Sequence, residues 1–221
     1  MFDTNGLSLN AWREYGYEVH ADRMLYDLDA KRIDAFVARH RHHAAFVVAV
    51  PPCTELSSAG ARWWKRKRLE NPRFQNEAVE GLQRLYRALE ELQCPFVILT
   101  PAGSRVRAAF AVLGAESFLF DPCQFGGHLD TPVLMEHPKF PDVVPALDAY
   151  KKRTLAVTGG GFRRPRRKPV PPKFVEMTVQ RNGKPKTLKV CPLLASRSNR
   201  NARQLAPRGF CVAAALSNLC R

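Results

Sequence analysis

Apolar positions along the chain follow two rhythms that alternate. Val79, Leu82, Leu85, Leu89 and Leu92 recur at three and four residues within NEAVEGLQRLYRALEEL, a spacing that gathers them on one face of a helix. Ile33, Phe36, Val37 and His40 share a face in the same way and predict a helix over residues 29–43. Ser8 would cap a short helix through Tyr15, with Gly16 ending it. Between the helical patterns stand AAFVVAV, PFVILT and ESFLFD, apolar runs of the length and character of strands, the first too apolar to be half exposed. YEVHA also reads as a strand, and Val106 to Leu113 as a helix between two of the strands. The alternation predicts an α/β core over residues 1–150, doubly wound, with a mostly parallel sheet and helices on both faces.

After PVLM the rhythm stops. TGGGFRRPRRKPVPPKF is too rich in Gly, Pro and Arg to build a core and predicts a flexible or polyproline-like connection. FVEMTVQRNGKPKTLKV reads as a hairpin, because Asn182-Gly183 suits a type I′ turn between two alternating segments. Residues 151–202 are thus a basic linker and hairpin, suited to nucleic-acid recognition. Residues 203–221 predict a helix of small apolar residues packing back on the core.

Charge sharpens this division. The formal net charge is +15, yet residues 151–221 hold eighteen Lys and Arg against the single acid Glu176, so residues 1–150 are slightly acidic. Basicity so concentrated is the footprint of a polyanion partner, nucleic acid and DNA first, or else a solvated tail. No run of about 18 apolar residues predicts a membrane span. MFDTNGLSLN has neither a basic leader nor an apolar signal core, so the expectation is a cytoplasmic (a host cell's, for a phage protein) or nuclear protein, not a secreted one. Six scattered cysteines without close pairs predict reduced thiols and no metal, and the histidines of RHRHH read as a polar helix end rather than ligands.

One cysteine stands apart. In VVAVPPCTELSSAGARWW a strand ends at two prolines and delivers Cys53 to the carboxyl end of the sheet, where open α/β sheets bind ligands. Taken alone, the thiol is either a small buried hydrophobe or a nucleophile. Pro51, Pro52, Cys53, Ser57, Ala59, Gly60 and Arg62 together resemble the catalytic motif of the DNA cytosine-5 methyltransferases, in a divergent phage or mobile-element form. Amino-methylating relatives carry an acidic or amide residue before Pro-Pro and an aromatic after it, whereas this chain has Val50 and Cys53.

The resemblance implies a Rossmann-like Class I methyltransferase fold and S-adenosyl-L-methionine as cofactor. It implies that Cys53 adds to carbon 6 of a flipped cytosine, with Glu55 and Arg62 in the catalytic group. FDTNGLS is similar to the cofactor loop, which puts Phe2, Gly6 and Pro51 at the cofactor, with Asp22 at the ribose and Asp27, in YDLD, at the adenine; either acid would otherwise be a surface carboxylate. Only Met1 and Phe2 stand where the family has its first strand. FVILTPAGS departs from the family pattern: Leu99 and Thr100 occupy the Glu-Asn positions, and Glu55 would substitute for the missing acid or face solvent. FDPCQFGG resembles a later segment in which Gln124 and His128 reach the nucleic acid and Cys123 is core, while the Gln-x-Arg-x-Arg signature is absent. RQLAPRGFCVAAALSNL is similar to the family's terminal helix. Ser57, Arg163, Arg164, Arg166, Arg167 and Lys168 join Arg62 as nucleic-acid contacts, and Trp63 or Trp64 would either stack on the flipped base or pack beneath the loop. The alternative is a binder of nucleic acid that keeps the fold without the chemistry, or a virion or scaffold component.

Overall fold

The computed structural model describes residues 12–13, 16–20, 29–181, 184–195 and 205–218. Phe2, Gly6, Asp22 and Asp27, and most of the first predicted helix, lie outside them.

Four strands form a mixed sheet: β1 (Val47–Ala49), β2 (Phe96–Pro101), β3 (Glu116–Phe120) and β4 (Thr154–Gly159), in the order β1-β2-β4-β3. β1 and β2 pair in parallel, whereas β4 runs antiparallel to both β2 and β3. Three strands therefore point one way, and the fourth is threaded between two of them. β4 lies past residue 150, so the sheet draws strands from both sides of the expected domain boundary.

Side chains alternate across the sheet. Phe96 and Ile98 of β2, with Leu155 and Val157 of β4, face helices α1 (Ala30–His40), α3 (Phe74–Glu90) and α4 (Ser104–Ala111). Val97, Leu99, Phe120 and Ala156 face the opposite way, toward Trp12 and the C-terminal helix α5 (Arg208–Asn218). Helices thus cover both faces, which explains why β2 has no polar side apart from Thr100.

Local chemistry sets the helix ends. The Asp29 carboxylate accepts from the Arg32 backbone N–H (3.1 Å) and starts α1. Gly16, at φ +82°, closes the turn after Trp12–Arg13, with N–H groups of Gly16 and Tyr17 returning to carbonyls of Arg13 and Trp12. Tyr17 and Val19 pack against the core, yet residues 17–20 join no ladder, so the alternation in YEVHA reports burial rather than a strand. Helix α2 (Ala61–Glu70), which the apolar pattern does not predict, buries none of its residues.

The Arg-Pro segment has a fixed course. Residues 162–174 cross the surface without regular secondary structure, joined to the core by backbone hydrogen bonds: Gly127 N–H to the Lys168 carbonyl (2.9 Å), Val170 N–H to that of Cys123 (2.8 Å) and Lys173 N–H to that of Ala149 (2.7 Å). The Asn218 side-chain amide grips both backbone groups of Arg163, at 2.7 and 3.0 Å. The flexible alternative gives way to an anchored strap. Beyond it, β5 (Val175–Arg181) and β6 (Lys184–Val190) form the expected hairpin; Arg181 pairs with Lys184, and the Asn182-Gly183 turn itself lies outside the described residues. No helix among the described residues is long and apolar enough to cross a membrane.

α5 packs closely because Ala213, Ala214 and Ala215 are buried against the sheet and Phe210 stacks on Phe120, with ring centroids 4.5 Å apart and planes 17° apart. Phe210→Ala is expected to cost about 3–5 kcal/mol in denaturant unfolding. Leu216→Ala, at a residue 47% exposed on the same helix, should stay within about 0.5 kcal/mol.

Candidate active site

The carboxyl ends of β1, β2 and β3 share an edge with the amino end of β4, since Thr154 pairs with both Pro101 and Phe120. Pro51 is buried where β1 ends, and Cys53, half-buried, follows in a tightly closed loop. The Cys53 carbonyl accepts from the N–H groups of Leu56 (3.1 Å) and Ser57 (2.9 Å). A methyl group at Gly60 would overlap the Thr54 carbonyl oxygen, so glycine is required by close backbone approach. The Trp64 indole N–H donates to that same carbonyl (3.1 Å), and the Gln75 side chain donates to the Glu55 carbonyl (2.8 Å). Arg105 in turn holds Gln75 (2.8 Å). The Pro-Pro-Cys-to-Gly stretch is therefore braced from α2, α3 and α4.

Burial pushes the Cys53 thiol above its ordinary pKa; the nearby Ser57 hydroxyl and the Lys152 ammonium oppose this, and Glu55 adds to it. Lys152 enters just before β4, where its carbonyl accepts from the Thr154 hydroxyl (2.7 Å). Its own pKa is lowered by burial, while the charge of Cys53 and that of the buried Cys191 draw it back up. Lys152 thus lies within electrostatic range of both thiols. Sequence reasoning did not single out Lys152, because no local pattern relates it to a cysteine 99 positions earlier. Ser57 is buried beside the Cys53 thiol, and among the described residues the buried Thr100 hydroxyl has no hydrogen-bond partner.

Glu55 is engaged rather than free. Burial works to raise its pKa, but hydrogen bonds from Lys67 and Thr54 outweigh that and hold it below the ordinary carboxylate value. Through Lys67 its carboxylate ties α2 to the loop. Leu99 is 3% exposed and packs in the α5-side core, so no acid stands at that position.

The remaining candidates divide. Gln124 turns its side-chain oxygen inward to the Asp121 N–H (3.2 Å), closing a capping box rather than facing a ligand. His128 Nε2 donates to the Arg166 carbonyl (2.9 Å) and so holds the strap. Arg163, Arg164, Arg166, Arg167 and Lys168 are all exposed along the strap, with the Arg164 guanidinium 4.3 Å from the Phe118 ring centroid. Arg62 is exposed and lies over Trp63. Trp64 packs beneath the loop, and Trp63 faces outward. Among the described residues no group of His, Cys, Asp and Glu is arranged to hold a metal ion. A cleft of about 300 Å³ between α1 and α3, lined by Asp34, Glu80, Gln83, Arg84, Arg87, Ala88 and Glu91, lies on other elements.

Fold and site define an α/β protein that presents a thiol and a lysine at the carboxyl edge of a mixed sheet, flanked by cationic surface. Comparison of the chain with protein-family models, curated proteins and solved structures gives no match.

Site-resolved alkylation of Cys53 with iodoacetamide across pH tests the electrostatics. Lys152→Met removes a charge that favours the thiolate, so the alkylation midpoint should move to higher pH; Glu55→Gln removes one that opposes it, so the midpoint should move lower. Gly60→Ala should destabilise by about 2 kcal/mol or more, read as a fall in Tm of roughly 5 °C.

Proposed function

We propose that the protein methylates cytosine at carbon 5 in nucleic acid, DNA first, with Cys53 as the nucleophile and a Class I methyltransferase type of sheet. The observation that carries this reading is the braced Pro-Pro-Cys loop, which fixes a half-buried thiol at a sheet edge beside a lysine. The antiparallel β4, inserted next to an outer strand of an otherwise parallel set, supports the fold assignment. Of the residues matched to the cofactor only Pro51 is described, buried at the end of β1.

In this reading Lys152 favours the Cys53 thiolate by Coulomb attraction, and the thiolate adds to carbon 6 of the everted base. The displaced electron pair makes carbon 5 nucleophilic. S-adenosyl-L-methionine, when bound, supplies the methyl group. Loss of the carbon 5 proton to a base then expels the thiolate and restores the aromatic ring. Arg62 and the strap arginines hold phosphates, a contribution that falls as salt rises.

A second reading has its own support. Leu99 lies in the core and the Glu55 carboxylate is held by Lys67 and Thr54, so neither residue offers a free acid to stabilise charge on the ring, a form of help worth several kcal/mol. A nucleic-acid binder without chemistry would look like this. Incubation with labelled S-adenosyl-L-methionine and cytosine-containing DNA separates the two. Methyl transfer, with covalent trapping on 5-fluorocytosine DNA that Cys53→Ala abolishes, is the expected result. Salt-dependent DNA binding with no calorimetric affinity for the cofactor would establish the second reading instead.

A further inference from the structure

Helix α2 has an inner and an outer side. Trp64 and Lys67, its two half-buried residues, turn toward the Cys53 loop, Trp64 bonding the Thr54 carbonyl (3.1 Å) and Lys67 the Glu55 carboxylate. At 100° per residue, Arg62, Lys65, Arg66 and Leu69 fall on the other side, Trp63 stands on the flank between Arg66 and Lys67, and all five are exposed. Trp63 is 45% exposed, with the guanidinium carbons of Arg62 and Arg66 at 4.9 and 5.3 Å from its ring centroid. Leu69 is 81% exposed. A helix that buries nothing adds little to the core.

Arg66 also pairs with Glu70 (3.5 Å), so Trp63 stands as an exposed aromatic face between two guanidinium groups, of which only that of Arg66 has a carboxylate partner on this helix. A partner that offers flat aromatic faces and anionic charge at short spacing meets both groups at once. A duplex presents its charge but hides its base faces in the stack, whereas an unpaired strand presents both. We propose that Trp63 and the arginines beside it on the exposed flank of α2 form a stacking platform for unpaired bases, so that the protein takes single-stranded or locally opened nucleic acid in preference to intact duplex. Because Glu55 and Thr54 tie α2 to the loop that carries Cys53, a base stacked on Trp63 fixes the position of the strand relative to the thiol. The proposal rests on the reading that the partner is nucleic acid, but not on methyl transfer.

The test is fluorescence anisotropy with the full chain, using a labelled oligonucleotide of about 20 nucleotides, single-stranded or annealed to its complement, at low and at moderate salt. The wild type should prefer the single strand. Trp63→Ala should weaken single-strand binding about tenfold, as expected for one lost stacking contact, while duplex binding changes less than twofold. Trp63→Phe, which keeps an aromatic face, should recover most of the loss, and an unchanged Tm should show that no variant is misfolded. Equal binding of both oligonucleotides with no effect of Trp63→Ala would overturn the platform and leave a nucleic-acid partner standing. Absence of binding to either oligonucleotide at low salt would overturn both.

Discussion

The antiparallel insertion of β4 is the constraint from which the rest of the architecture follows. Among the described residues β3 has no ladder partner except β4, and β4 joins it to β2 over the full length of both neighbours. The direction of β4 also decides what stands at each end. Its start brings Lys152 to the edge where β1 releases Cys53, and its exit at Gly159 sends the following chain along the flank of β3. A parallel strand in the same place would have put lysine and thiol at opposite edges.

The buried ion pair of Asp148 and Arg208 consolidates this edge. The Asp148 carboxylate accepts from the Gly209 N–H (3.0 Å) at the first turn of α5, and Arg208 reaches the Glu136 carbonyl (2.8 Å). Burial raises the Asp148 pKa and Arg208 opposes it, so part of the attraction offsets the removal of both charges from water. What the pair supplies is registry: it fixes the entry of α5 against the loop before β4. The Cys53 loop is held by different means, through backbone carbonyls gripped by Trp64 and Gln75 and through the absence of a side chain at Gly60.

Much of the core was legible in the sequence because its periods are local. The leucines of α3 and the apolar runs of β1, β2 and β3 carry their burial in their spacing, and the small residues of α5 reveal its close packing. The elements missed lack such a signal. α2 buries nothing and so has no apolar period, while β4, the six residues TLAVTG, sits between basic and glycine-rich stretches that read as the end of a domain. The strap was seen as chain unable to build a core, which it is; its fixed path depends on Asn218 and His128, distant in sequence and invisible to any window. Of the site, the thiol and its loop were read from the motif, whereas the pairing with Lys152, the inward turn of Gln124 and the tether made by Glu55 are products of topology.

The strap carries one further implication. Asn218, His128, Gly127 and Cys123 recognise its peptide groups, and only Pro165 among residues 163–168 is buried. Route and charge are therefore encoded largely separately: the main chain is threaded by partners indifferent to side-chain identity, and the cationic groups ride on it, Arg164 with a further contact to the Phe118 ring. Such a surface is free to retune its electrostatic potential, residue by residue, while its trajectory stays the same.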